Sequence, residues 1–341
     1  MRINEVNLNE LLNECLSRAN YDKIYGVIIF GSIIDNKCLS GYSDIDIALF
    51  HSDELIDHEI FDFNGFNVEL FKYPINTLYR VLYDNSIRNK DDTWFKCCFW
   101  LKLLRCGLII YDPDKLLNRL KEKSLKWKWS EMEKDFTRTT IFRNVNLARK
   151  LLREGDLINS IIAIRDSLNL ILVYKFLKNN LIPSYRPKDL YNHIRMNNDE
   201  GFLEFYDYVM GLNNLNEEYI TRVFNIIRNV YSIRMFWNHY IDRIFKDVFK
   251  SFSIGDFKQF LLCARYLLLR VMEEILLLKG FPFKIKYFNF DSHMVIMNKT
   301  SLSNNDLLKY YYELHGVNLL DKGYISDCID KIKKEWLSVL S

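Results

Sequence analysis

The spacing of apolar residues changes character about a third of the way along the chain. Residues 7–19 (NLNELLNECLSRA) carry apolar side chains at helical intervals. Ile24–Phe30 (IYGVIIF) is β-branched and almost wholly apolar, which predicts a buried strand ending at Gly31-Ser32. Asp44–Phe50 (DIDIALF) predicts a second strand. HEIFDF and FNVELFKY alternate on either side of Asn64-Gly65, the pattern of a tight hairpin. Helical spacing returns over about 75–85 and 91–105, and GLIIYD predicts a short strand ending at Asp112.

After Pro113 long amphipathic stretches take over. They predict helices over about 114–124, 130–153, 156–180, 201–212, 216–249, 256–279, 304–315 and 324–340, with one further strand at 284–290. The expected fold class is α+β, a small mixed-sheet domain over 1–112 followed by a larger all-helical bundle region over 113–341. That region carries a trace of duplication. GDLINSIIAIRDSLNLILVYKFL at 155–177 aligns without gaps on GDFKQFLLCARYLLLRVMEEILL at 255–277. The Gly-Asp starts coincide, Arg165 meets Arg265, and Asp156 and Asp256 read as equivalent N-caps. A duplication would divide the region into 113–215 and 216–341. Chance likeness between two amphipathic helices is the alternative.

Composition narrows the class. A chain of 341 residues suits about two domains. With 49% hydrophobic and 27% charged residues it is not a disordered chain, and 12 Gly and 5 Pro exclude collagen-like sequence. Arg165 and Asp166 cut one long apolar run and Arg265 and Arg270 another, so no membrane span of about 20 residues is expected. Glu5, Glu10 and Glu14, with no apolar run beside them, do not read as a signal peptide. Seven cysteines without a C-x-x-C spacing read as reduced thiols, and the expected location is the cytoplasm. The net charge of +3 hides an asymmetry, −5 over residues 1–110 and +8 over the rest. An acidic first part and a basic remainder suggest a metal on one side and an anion held between them. Uneven surface charge without function is the plain alternative.

The candidate chemistry lies between Gly31 and Glu69. Asp is depleted in strands, yet Asp44 and Asp46 sit two apart in an otherwise apolar run, hence on one face and about 6–7 Å apart. Two like charges so placed repel, and a divalent cation resolves the conflict, hard oxygen donors favouring Mg²⁺. Glu69 is again an acid within an apolar strand, brought close by the hairpin. Three such carboxylates can hold two metal ions about 3.5–4 Å apart. Gly31 lets a phosphate approach the backbone, the N–H groups of the turn offer donors, and Ser32 Oγ adds another.

A strand ending in Gly31-Ser32, an eleven-residue interval through Ser43, the Asp44-x-Asp46 pair and a later Glu69 together resemble the nucleotidyltransferase superfamily that includes DNA polymerase β and the aminoglycoside nucleotidyltransferases. The motif likeness covers roughly residues 20–75, with a looser extension to 107–120. The resemblance implies that Asp44, Asp46 and Glu69 are the catalytic and metal-binding residues. Glu69 would be third ligand or general base. It also implies that Gly31, Ser32 and Ser43 bind the nucleotide. Small members carry Arg and Gly just after Gly-Ser; here the loop reads Ile33-Ile34-Asp35-Asn36-Lys37, so Lys37 would stand in near phosphate. Lys188, after Arg186-Pro187, could reach the triphosphate from the helical region.

Other signals have plainer readings beside them. KEKSLKWKWSEMEK at 121–134 mixes Lys with Trp127 and Trp129, either a nucleic-acid patch or a charged linker with two docking tryptophans. Glu154, Asp156 and Asp166 are candidate general bases or simply capping and surface acids. Arg165 and Arg265 either bind an anionic substrate group or form interhelical salt bridges. Arg234–His239 (RMFWNH) matches the loose Arg-x4-His element of HEPN ribonucleases, an element frequent by chance. The six scattered His residues read as surface or satisfied core residues, and Cys97-Cys98 as packing.

The expectation is an enzyme that uses two Mg²⁺ ions and ATP, or another NTP, to move AMP onto a hydroxyl. The acceptor is a small molecule such as an aminoglycoside-like natural product, seated between the acidic and basic parts. A toxin-type enzyme acting on tRNA or protein, and a catalytically silent nucleotide-binding module, are the alternatives.

Overall fold

A computed structural model of the chain describes residues 6–31, 34, 44–84, 93–184, 186–197, 199–213, 215–232, 239–281, 288, 290–303, 305–316 and 320–340. The chain forms two compact units, Met1–Trp129 and Ser130–Ser341.

In the first unit α1 (Leu8–Ser17) precedes β1 (Ile24–Phe30), β2 (Ile45–His51), β3 (Asp57–Phe63) and β4 (Phe66–Pro74). Then come α2 (Asn76–Tyr83), α3 (Thr93–Cys106), β5 (Leu108–Tyr111) and α4 (Leu116–Lys126). The strands form one mixed sheet in the order β3-β4-β2-β1-β5, with β2 and β4 parallel and the other neighbours antiparallel. The α+β architecture expected from the sequence is the one observed. Alternation sorts the side chains between two faces. Val27, Ile29, Ile45, Ile47, Leu49, Val68 and Leu70 pack with Leu11 and Cys15 of α1. Ile28, Phe30, Asp46, Ala48, Phe50, Glu69, Phe71 and Tyr73 occupy the other face, where Trp100 of α3 stands edge-on to Tyr73 at 4.6 Å. The hairpin turns at Asn64 and Gly65, both with positive φ (54° and 81°), as the Asn-Gly pair predicted.

The first unit extends past the sequence-based boundary at 112/113, because α4 packs against α2, α3 and β1. Trp127 and Trp129 are buried edge-to-face at 4.6 Å, and Arg105 donates to the Trp127 carbonyl at 3.1 Å. They are docking residues, so the Lys/Trp segment offers no stacking surface for a nucleic acid. Cys97 and Cys98 are packing residues, and the six described cysteines are free thiols.

The second unit is helical: α5 (Glu131–Glu154), α6 (Leu157–Lys178), α7 (Pro187–Met196), α8 (Glu200–Met210) and α9 (Glu217–Ser232), then α10 (His239–Ser253), α11 (Phe257–Leu278), α12 (Phe290–Ser303), α13 (Asn305–Leu314) and α14 (Lys322–Leu340). Within the helix expected over 216–249 the described residues form α9 and α10, and 233–238 lie outside the described residues. The strand expected over 284–290 falls largely outside the described residues, and Phe290 opens α12. By length and apolar composition α6 could cross a membrane, contrary to expectation; 83% of its apolar window is buried among the other helices of the unit.

Among the described residues the helices fall into two sets, α5–α9 and α10–α14, with matching caps. Gly155 and Gly255 close α5 and α10 in the left-handed region (φ 84° and 74°). Asp156 and Asp256 cap the next helices, accepting from Asn159 N and Gln259 N at 3.1 Å each. Asn216 and Asp321 accept from Tyr219 N and Tyr324 N, both at 2.8 Å. The halves therefore divide after α9, not at 215/216. They also exchange their last helices. α14 packs on α5 and α6, whereas α9 packs on α11 and α13 and stacks Phe224 on Phe252 of α10 at 4.2 Å.

Arg165 and Arg265 are buried at the centre of this arrangement and bridge the halves. Arg165 Nε donates to Val209 O and Nη1 to His315 O; Arg265 Nε donates to Leu314 O and Nη1 to Met210 O. Tyr219 OH donates to Leu314 O, and Tyr324 OH to Tyr208 O. The expected interhelical salt bridges are thus replaced by bonds to the carbonyl ends of α8 and α13, where helix dipoles concentrate partial negative charge. Burial, with Arg165 close by, brings the Arg265 guanidinium down to about 10.

Candidate functional site: a carboxylate row on the sheet

Strand register builds the site. Asp46 of β2 pairs with Phe30 of β1 on one side and with Glu69 of β4 on the other, and Glu69 pairs in turn with Ile60 of β3. One row across the sheet therefore reads Phe30, Asp46, Glu69, Ile60, all on one face and with neighbouring strands about 4.8 Å apart. Asp46 is 6% exposed and Glu69 fully buried. Asp44, two residues before Asp46, accepts from Asn67 Nδ2 at 3.0 Å. A like-charged pair of neighbours in a sheet interior breaks the usual cross-strand rules, which marks the row as more than packing.

Gly31 is moulded to this row. Its φ is 86°, and a Cβ added there would fall on Asp46 Oδ2. Only glycine lets the end of β1 fold over the carboxylate. The sequence motif of Gly31 and Asp46 is thus one steric unit in space.

On the outer side, His58 Nε2 lies 4.0 Å from Glu69 Oε2. The His58 ring stacks on Phe71 at 4.5 Å and 19°, and Phe71 lies within 8° of parallel to Tyr73. Neither His58 nor Ile60 stands out in the sequence. The alternation of HEIFDF carried the signal, since it puts His58, Ile60 and Asp62 on the face that Glu69 occupies. Asn67 was likewise missed.

Of the residues singled out in the sequence, the structure brings Gly31, Asp44, Asp46 and Glu69 to one face. Ser32, Lys37 and Ser43 lie outside the described residues, as does most of Arg234–His239. Lys188 is paired with Asp247 of α10, which Arg186 also approaches. Asp156 is the cap of α6, and Glu154 is exposed, 3.8 Å from Lys150. Asp166 is neither cap nor surface acid; it is buried, with Oδ2 2.7 Å from His293 Nδ1. His51, His293 and His315 are core residues, the second of the two expected readings.

The donor set of the row suits a hard divalent cation, being all carboxylate oxygen and largely withdrawn from water. Among the described residues, however, no three His, Cys, Asp or Glu side chains are gathered closely enough to hold an ion. The fit is one of donor chemistry and strand register, and the side-chain oxygens would have to turn toward a common point.

No family model matches the chain, and no curated protein does. Among solved structures, the chain is similar to the crystal structure of a nucleotidyltransferase-like protein from Exiguobacterium sibiricum 255-15. The identity is 12% and the TM-score 0.40, over 89% of this chain and 90% of that one. A likeness so distant carries no weight for the chemistry of this chain.

Proposed function

We propose that the first unit is a Mg²⁺-dependent nucleotidyltransferase, moving a nucleoside monophosphate, AMP from ATP in the first instance, onto a hydroxyl of a small molecule. The observation that supports this is the buried Asp46–Glu69 pair across β2 and β4, with Asp44 on the same face and Gly31 folded over the Asp46 carboxylate. Asp44 and Asp46 would hold the metal, with Glu69 as third ligand or base. Bound Mg²⁺ would neutralise charge on the phosphates and on the departing pyrophosphate. The acceptor oxygen attacks the α-phosphorus and forms the new O–P bond. The bond to the bridging oxygen breaks, and pyrophosphate leaves with the electron pair. Glu69, where it acts as base, takes the hydroxyl proton. The chain's contribution is positioning and a preorganised charge environment.

The test is incubation of the full chain with each α-³²P-labelled NTP, Mg²⁺ and a cell extract. Label should pass to a small-molecule fraction. Asp46→Asn should reduce transfer by about 10²–10³-fold with an unchanged circular dichroism spectrum. Unchanged turnover in that variant refutes the role given to Asp46. Label on RNA or protein would shift the acceptor class.

A second reading, a nucleotide-binding module without catalysis, is favoured by the dispersed carboxylate oxygens. It requires Mg²⁺-independent nucleotide binding and no label transfer at any nucleotide concentration.

A further inference from the structure

We infer that the outer edge of the carboxylate face, at β3, is the acceptor's subsite, and that the acceptor presents a planar ring there. This deepens the nucleotidyl-transfer reading and rests on it. In-line displacement puts the attacking and leaving oxygens on opposite sides of the α-phosphorus. If the triphosphate lies at the Gly31 end of the row, pyrophosphate leaves on that side. The hydroxyl must then arrive from the other end, past Glu69, which is the β3 edge.

The chemistry of that edge is specific. Ile60, the cross-strand neighbour of Glu69, is 48% exposed, and the His58 side chain 33%. Tyr73, Phe71 and His58 present their rings in nearly parallel planes, ending at the exposed edge. On β3, Asp62 is the acid on this face, and it is engaged in the hairpin, accepting from Gly65 N at 3.1 Å. The ledge beside Glu69 thus offers an imidazole and an aliphatic side chain, with the exposed Asp62 two residues further along β3. A planar ring gains about tenfold or more in affinity by stacking on such a surface. A saturated sugar has no π-face to stack.

The experiment uses the full chain loaded with α,β-methylene-ATP and Mg²⁺, so that no transfer occurs. Equilibrium binding is measured for uridine, 4-nitrophenyl β-glucoside, methyl β-glucoside and kanamycin. The planar-ringed probes should bind at least tenfold more tightly than methyl glucoside or kanamycin, and the nucleotide analogue should not displace them. Ile60→Asp should weaken the planar probes at least fivefold and leave the affinity for the analogue unchanged. Ile60→Ser serves in its place if Ile60→Asp lowers the melting temperature. Equal binding of all probes, tighter binding of kanamycin, displacement by the analogue, or indifference to both Ile60 variants would each overturn the inference. Failure of the analogue itself to bind is read separately, and it sinks the parent reading before the acceptor question arises.

Discussion

Gly31 and Asp46 illustrate how one residue can specify another. The glycine is required twice, once by its left-handed backbone and once by the carboxylate that fills the place of a Cβ. Gly31→Ala should therefore cost about 1–3 kcal/mol in urea unfolding. Adding Asp46→Ala should recover part of that loss, because the clash disappears while the unfavourable φ remains. Additivity of the two changes would show that the carboxylate is not the obstacle. At this scale the sequence was informative where a residue broke a local rule. Acids inside apolar strands pointed to Asp44, Asp46 and Glu69. Ile60 and His58 obey ordinary edge-strand rules, and their place beside Glu69 exists only once the register is fixed. Arg165 and Arg265 stood out as charges in apolar helices, but their acceptors are carbonyls at Val209 and Leu314, distant in sequence and without a composition signal of their own.

Elements with strong local chemistry were legible. The strands followed β-branched and alternating runs, and the hairpin followed Asn-Gly. α7 and α12 were not foreseen. α7 is short and polar, and the aromatic run before α12 reads locally as strand. α9 and α10 fall within one expected helix, since 233–238 between them carry no Gly or Pro. The Asp156 and Asp256 caps were legible and carry a prediction. Asp156→Ala and Asp256→Ala should each cost about 1 kcal/mol by thermal or urea denaturation, and the double variant should cost roughly the sum. Asp256 also pairs with Arg195 at 2.7 Å, so its loss should be the larger of the two. A loss below about 0.3 kcal/mol at both sites would remove the caps from the account of how the helices start.

At the scale of the helical unit, the two halves share their caps and central arginines but not their core residues, and Met210 in one half corresponds to His315 in the other. Arg165 Nη1 lies 3.0 Å from His315 Nδ1, and since a guanidinium can only donate, that nitrogen accepts and the ring is neutral. Burial, and after it the charges of Arg265, Arg165 and His293, hold the His315 pKa well below its ordinary value. The unfolded chain takes up its proton near pH 6.5, while the folded chain does not. The contribution is therefore complete above that pH and is lost as pH falls below it, by up to about 1.4 kcal/mol per pH unit. Urea titrations at pH 7.5, 6.5 and 5.5 should show this slope, and His315→Met should reduce it, with His51 and His193, also lowered by burial, supplying the remainder. An unaltered slope in that variant would assign the acid sensitivity elsewhere.

The exchange of α9 and α14 bears on how the protein is made. Each half lacks a wall until the other supplies it, and the helix that completes α5 and α6 is α14, Lys322–Leu340. Domains ordinarily mature on the ribosome in the order of their synthesis. Here the earlier half must wait, its apolar side uncovered, until translation has delivered α14, which begins 144 residues after Lys178. The span between Lys178 and Lys322 is thus a window in which a nascent chain stalled on the ribosome would be a client for chaperones rather than a folded intermediate.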